Sequence, residues 1–274
     1  MTSSKMGVIE ISLRGSHKIS DKTLYGMPIF IDWGDDTPEE KMLLYDTEVK
    51  YSHNYKNDEL HYIIIFSDYE ITELICCNAE LTSLDVNYCA WLKEVNCSDN
   101  LINSIDVSKN IELINLTCNN NQLTNIVLGE NFELRSLYCN NNQLRELSTS
   151  GCRALEVLEC NDNPLTSLDV SACGRLHHIM CNNTQLTNMN LSGCSSLSLM
   201  TVNDNQLTAI DASGCNELKS INCQNNQLSE TAMNSFFETL HHQKMINKTL
   251  AIQGNPGSDQ CDKTIATNKF WHFY

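Results

Sequence analysis

Residues 155–175 read LEVLECNDNPLTSLDVSACGR. Counting from Leu155, apolar side chains stand at positions 1, 4 and 6 (Leu155, Leu158, Cys160) and again at 11, 14 and 16 (Leu165, Leu168, Val170). The alternation across positions 4 to 6 has the period of two that marks a short strand, and positions 14 to 16 repeat it. Asn, Asp, Ser and Thr fill the intervening positions, which suits bends and leaves no helical stripe of period 3.6. Such a segment predicts one turn of a narrow, flattened coil.

Working outward, the same register recurs seven more times. Repeats begin at Ile71, Leu92, Leu113, Leu134, Leu155, Leu176, Leu197 and Leu218, and the 21-residue period never varies. Cys76, Cys97, Cys118, Cys139, Cys160, Cys181 and Cys223 fall on its sixth position, with Val202 in the remaining place. A fixed period of this length is the signature of a solenoid. The pattern L-x-x-L-x-C-x-x-N-x-L predicts a mainly β leucine-rich-repeat solenoid with parallel, in-register strands over 71–228. Positions 4 and 6 then face the core, positions 2, 3 and 5 face solvent, and both flanks of the coil carry strand-like ladders. No single repeat folds alone, because its six buried side chains do not offset the ordering of 21 residues. Stacking covers each coil's apolar face with the next.

Position 9 is Asn100, Asn121, Asn142, Asn163, Asn205 and Asn226, with Ala79 and Thr184 as exceptions. A short amide turned into the coil satisfies backbone groups that a tight bend orphans. The chain holds 14 cysteines, a number that suggests disulfides or metal. Cys152, Cys173, Cys194 and Cys215 share position 19 with Cys89, Asn110 and Asn131, and this interchange reads as small buried residues rather than ligands. Ladder cysteines one strand apart lie within the Cα range of a disulfide, but side chains of one column point the same way, so free thiols are expected. No C-x-x-C pair supports zinc.

The ends supply caps. Residues 1–70 contain three apparent strands, Val8–Leu13, Ile29–Trp33 and Leu60–Phe66, as in a small β-sandwich. From Ser229 an N-capped helix is expected to about Leu240, with Ala232, Met233, Phe236, Phe237 and Leu240 as its apolar stripe. Thr249–Ile252 then reads as a strand, 254–257 as a turn and 263–269 as a short helix leading to Trp271. The expected organisation is an N-terminal module at 1–70, the solenoid at 71–228 and an α/β cap at 229–274.

Trp33-Gly34-Asp35-Asp36 and Tyr51-Ser52-His53-Asn54-Tyr55 are similar to the W-G-D-G and S-H-x-Y motifs of PKD-like modules, with Asp36 in place of the second glycine. Together with Leu81-Thr82-Ser83-Leu84-Asp85-Val86, Cys139-Asn140-Asn141-Asn142-Gln143-Leu144 and the tail from Gly254 to Trp271, they make the whole chain resemble surface leucine-rich-repeat proteins of Bacteroides-type gut bacteria. That resemblance implies export to the cell surface or secretion. The chain itself shows no signal-peptide core at its start and no apolar run of membrane-span length, and a cytoplasmic location stays open.

A net charge of −16 opposes nucleic acid and anionic membranes as partners. Catalytic signatures are absent: there is no G-x-S-x-G, H-E-x-x-H or phosphate-binding glycine loop. No catalytic, metal or cofactor residue is assigned. The pairs His177-His178 and His241-His242 read as solvated or tail-packing histidines, since neighbours in a strand point to opposite faces. Asp85, Asp106, Asp169 and Asp211 recur at position 15, but Val127, Ser148 and Asn190 interrupt them, so a calcium row is not favoured over a solvated face. Packing leaves positions 2, 3 and 5 free. Over repeats three to seven they include Ile114, Arg135, Tyr138, Val157, His177, His178, Met180 and Leu199, whereas flanking repeats carry mostly Thr, Lys, Glu, Asn and Ser. An apolar and aromatic patch on a polar sheet predicts a face for a protein or glycan ligand on a monomeric, non-catalytic recognition module. The other reading is a structural spacer that displays further domains.

Overall fold

The computed structural model describes residues 71–274 apart from Tyr88, together with strand segments of the first 70 residues, where side chains are described only at 31–33. Two compact units divide between Asn131 and Phe132 and are taken in turn.

In the first unit, strands Ile71–Ile75, Glu94–Asn96 and Asn115–Thr117 pair in parallel, each residue opposite its counterpart one repeat away, as in Leu74↔Val95↔Leu116. On the other flank Ser104–Asp106 pairs with Asn125–Val127. Val8–Gly15 lies antiparallel between Ile71–Ile75 and Glu48–Asn54, so the edge of the first coil is covered rather than left open. Thr2–Ser3 lies between His61–Tyr62 and Leu81–Ser83, and Met27–Asp32 between Glu39–Leu43 and Ile64–Ser67. Ile31 and Trp33 are buried. Residues 34–36 and Tyr55 of the PKD-like motifs are outside the described residues.

In the second unit Ser136–Tyr138, Val157–Glu159, His178–Met180, Leu199–Thr201 and Ser220–Asn222 form one parallel ladder. It continues past the repeat grid through Thr249–Ala251 and His272–Phe273. The helix Glu230–Thr239, capped by the Ser229 hydroxyl accepting from Ala232 N, is inserted between two rungs and buries Met233, Phe236 and Phe237. A shorter helix, Lys263–Thr267, precedes the buried Trp271. Lys248 and Lys269 are buried here with their ammonium groups on carbonyls: Nζ of Lys248 donates to His241 O and Gln243 O and also meets Lys269 O, while Nζ of Lys269 donates to Phe237 O and Glu238 O at the helix end. The indole of Trp271 lies 4.8 Å from the Lys248 Nζ.

The strand on the second flank is less regular than expected. It forms at Ser104–Asp106, Asn125–Val127, Ser167–Asp169 and Asn188–Asn190, but 146–148 and 209–211 are not strand. In those two coils position 16 holds Thr149 and Ala212 instead of Val or Leu, so the apolar anchor after the strand is polar or small. The buried Thr149 hydroxyl donates to Asp169 O.

Each repeated polar column has a backbone task. At position 9, Asn100 Nδ2 donates to Cys97 O and Ser98 O of its own bend and to Cys76 O of the preceding coil, and its Oδ1 accepts from Ala79 N and Leu81 N. Asn163, Asn205 and Asn226 make the same set of donations. Position 19 explains its own interchange of Asn and Cys. Asn110 and Asn131 donate an amide hydrogen to Val86 O and Val107 O, and Cys173, Cys194 and Cys215 donate a thiol hydrogen to Thr149 O, Val170 O and Leu191 O, always 24 residues back. At position 15, Asp85, Asp106, Asp169 and Asp211 each accept from the backbone N–H two residues on, which closes a turn. Ser171 and Ser213 hold the carboxyls of Asp169 and Asp211 below the usual range through these hydrogen bonds.

Position 8 is a column that the strand pattern does not reveal. Asn78, Asp99, Asn120, Asn141, Asp162, Asn183, Asp204 and Asn225 all adopt φ between 51° and 59°. Asn and Asp tolerate this left-handed conformation better than other non-glycine residues, which is why the column contains nothing else. Exposed side chains link it across coils, from Asn120 to Asp99, Asn183 to Asp162 and Asn225 to Asp204.

Candidate recognition face

The ladder of the second unit fixes which outward side chains are neighbours. Strand registers place Ser136, Val157, His178, Leu199 and Ser220 in one row, and Tyr138, Glu159, Met180, Thr201 and Asn222 in the next. Rungs of a sheet are about 4.8 Å apart, so Val157, His178 and Leu199 are in sequence along the face. Arg135 and His177 precede their strands. Leu137, Leu158, Ile179 and Met200 alternate with these rows and are fully buried, which anchors the face to the core.

Seven of the eight candidate residues therefore share this face. Ile114, a half-buried residue whose N–H donates to Lys93 O, belongs to the first unit. The patch is also less purely apolar than its composition suggested. Val157, Leu199, Tyr138 and Met180 are half-buried, and His178 and Glu159 separate them within their rows. Arg135 pairs with Glu156 at 3.6 Å. His177 and His178 do not divide between core and solvent as neighbours within one strand would. The strand begins only at His178, and both rings are exposed, His177 with Nδ1 at 3.1 Å from Ser196 O. His241 instead packs in the cap, edge-on to Trp271 with Nε2 at 2.8 Å from Leu218 O, and burial lowers its pKa.

Among the described residues, the most exposed large apolar side chains lie elsewhere: Trp91, Ile111 and Val127 in the first unit and Phe132, Ile246, Phe270 and Tyr274 in the second. Of these, Trp91, Ile111 and Phe132 occupy positions 20 and 21, which carry no repeated residue type and so gave no signal. Arg153 covers the Phe132 ring at 5.5 Å. A cavity of about 540 Å³ in the C-terminal cap is lined by polar groups that include Gln227, Gln253, Asp259 and Lys263, beside Phe273.

The cysteines are free thiols, buried except for the half-buried Cys77 and Cys89. Burial pushes the thiols of Cys97, Cys152, Cys194 and Cys223 up to about 12 and that of Cys215 to about 11. No group of three or more His, Cys, Asp or Glu among the described residues is placed to hold a metal ion. Among the same residues no helix is long and apolar enough to cross a membrane.

The functional domain of InlJ from Listeria monocytogenes, described as including a cysteine ladder, superposes with a TM-score of 0.60 at 25% identity over 72% of this chain and 47% of that one. This chain has a leucine-rich-repeat fold. Residues 132–172 match the family model "Leucine Rich repeats (2 copies)". A second leucine-rich-repeat likeness, to a chain in the octameric complex of Latrophilin 3, Unc5D and FLRT2 (LRR), has a TM-score of 0.54 at 19% identity and covers 67% of this chain and 61% of that one. The chain thus spans about half to three fifths of the length of these relatives. A comparison with curated proteins found no match.

Proposed function

We propose that this leucine-rich-repeat chain is a non-catalytic recognition module that binds a partner protein on the outward rows of the second unit's ladder. One observation carries the reading. Between Arg135 and Leu199 the outward rows hold an aromatic ring, two imidazoles, a thioether and branched aliphatic side chains, while Ser220, Asn222 and Thr249 farther along the same ladder are small and polar. The core dictates none of these outward residues, so large side chains there serve contact rather than packing. Tyr138 and Met180 are the anchors, because aromatic and adaptable apolar side chains dominate interface energetics.

Partner selection from displayed protein domains with the full chain, followed by Tyr138→Ala with Met180→Ala, tests this. Selected partners are expected to bind the double variant at least 10-fold more weakly. Unchanged affinity for every partner excludes this face, and binding confined to arrayed glycans replaces the protein partner with a saccharide. The use of leucine-rich-repeat chains in multiprotein assembly, as in the octameric complex above, agrees with the reading.

Export to a bacterial cell surface and a PKD-like module at 1–70 are part of the same proposal, supported by the resemblance to Bacteroides-type proteins. Protease shaving of intact producing cells tests the first: a chain that survives until the cells are lysed is not displayed. Limited proteolysis near residue 70 tests the second, which requires cleavage there before the repeats are cut.

A further inference from the structure

We propose that Cys160 and Cys181 form an oxidation site, at which a peroxide converts two buried thiols into a disulfide tying consecutive coils together. Two other thiols of the ladder turn toward backbone. Cys139 and Cys223 donate to the carbonyls of Glu159 and Ala251 on the next rung, both at 3.5 Å. Cys160 departs from this pattern, and its Sγ lies 2.7 Å from the Sγ of Cys181. That is well inside the 3.5–4.0 Å at which even carbon atoms touch, and sulfur is larger. The two residues directly follow the paired positions Glu159↔Met180, so their backbones are one rung apart, about 4.8 Å and within the Cα range of a disulfide. The shared direction of side chains in the column, which argues against pairing, is therefore broken at this pair.

The thiols that could compete for the pair are engaged elsewhere. On the next rung the column carries Val202, and on the preceding rung Cys139 is engaged with Glu159 O. Cys173 and Cys194, the nearest members of the second cysteine column, are engaged with backbone carbonyls. Oxidation proceeds in two steps. One thiol sulfur attacks hydrogen peroxide to give a sulfenic acid and water; the second sulfur then attacks the sulfenic sulfur and expels a second water. Two S–H bonds are lost, one S–S bond forms, and the peroxide is reduced to two waters. Because both residues are fully buried, the reaction waits on local opening and trails that of the half-buried Cys77 and Cys89. The bridge shortens the free loop between coils in the unfolded chain and so favours the folded one.

The reduced full chain, exposed to hydrogen peroxide under native conditions, alkylated and digested without reductant, is expected to yield a linked peptide pair whose fragmentation assigns Cys160 to Cys181. Its urea midpoint is expected to rise and to return on adding dithiothreitol. Cys181→Val, which installs the residue found at 202, is expected to remove both the linked pair and the rise. Oxidation of Cys77 and Cys89 to completion with no Cys160–Cys181 linkage overturns the proposal, as do equal yields of Cys139–Cys160 and Cys160–Cys181. If the variant fails to fold, the linkage map of the unsubstituted chain decides alone.

Discussion

Raising the pH above 9 attacks this fold through its thiols. Cys76, Cys97, Cys139, Cys152, Cys160, Cys194, Cys215 and Cys223 are all buried, and their thiols are raised to about 11, to about 12 or well above the ordinary value of 9.0, Cys160 by its contact with Cys181 ahead of burial and the others by burial first. A group whose pKa is higher folded than unfolded lends stability that is complete below the unfolded pKa and is lost as pH climbs through the folded one. The window here therefore opens at about 9 and closes near 11 for Cys215 and near 12 for Cys97, Cys152, Cys194 and Cys223. At pH 10 an unfolded thiol is about nine-tenths ionised while a buried one is not, a loss of about 1 kcal/mol per thiol. The five thiols raised to about 11 or 12 sum to roughly 5 kcal/mol, the lower end of the whole stability of an ordinary domain at 5–15 kcal/mol. Lys248 works in the opposite sense. Its burial lowers the pKa from 10.5 to about 8, so stability is gained between those values, by about 2 kcal/mol at pH 10, and the thiols still dominate. Urea unfolding followed by circular dichroism at pH 8 and pH 10, in reductant, measures the difference. Cys97→Val and Cys223→Val should each shrink it by about 1 kcal/mol, whatever they do to stability at pH 8. A stability that does not fall between the two pH values, or a fall the valines leave unchanged, refutes the reasoning.

Four further outcomes follow from the columns and the face. Asn163→Ala removes three amide donations and one acceptance inside the coil and should cost about 3–5 kcal/mol in urea unfolding, from unsatisfied groups at about 1–3 kcal/mol each. Thr184→Asn restores the majority residue at that column and should raise stability by about 1 kcal/mol in the same assay. At the left-handed Asn183, Gly should be tolerated to within about 1 kcal/mol while Val costs about 1–3 kcal/mol, and equal effects of the two would deny strain any part. Titration of the native chain with a thiol reagent should find only Cys77 and Cys89 reacting quickly, and denaturant should expose all 14 cysteines.

Much of the fold was legible because the apolar residues of one coil recur in the next through all eight repeats. Leu155, Leu158 and Cys160 announce the inner face, and the stop of the pattern at Leu228 announces the cap with its Ser229 start. Hydrogen-bond duties were harder to see. Asn110 and Cys173 share no obvious chemistry in a list of residues, and only a carbonyl 24 positions back shows that both are wanted as donors. The position-8 column of Asn and Asp was on view, but a backbone angle has no apolar periodicity to betray it. For the candidate face, rows of neighbours require strand register. That register brought Val157, His178 and Leu199 together and placed Glu159 between Tyr138 and Met180, details that composition could not order.

The amide at position 9 serves the coil before it, and the tail completes the series: Asn255 Nδ2 donates to Cys223 O and Ile252 O, and its Oδ1 accepts from Leu228 N. The bends before Asn100, Asn121, Asn163, Asn205 and Asn226 are thus finished by their successors, and the last bend by a residue that belongs to no repeat. Such an array behaves like a sentence that accepts any number of identical clauses before its full stop. Whole 21-residue units can be inserted or removed between coils of the second unit without rewriting the ending, whereas a cut that drops Asn255 takes the acceptor from Leu228 N and leaves Cys223 O with Asn226 Nδ2 as its amide donor.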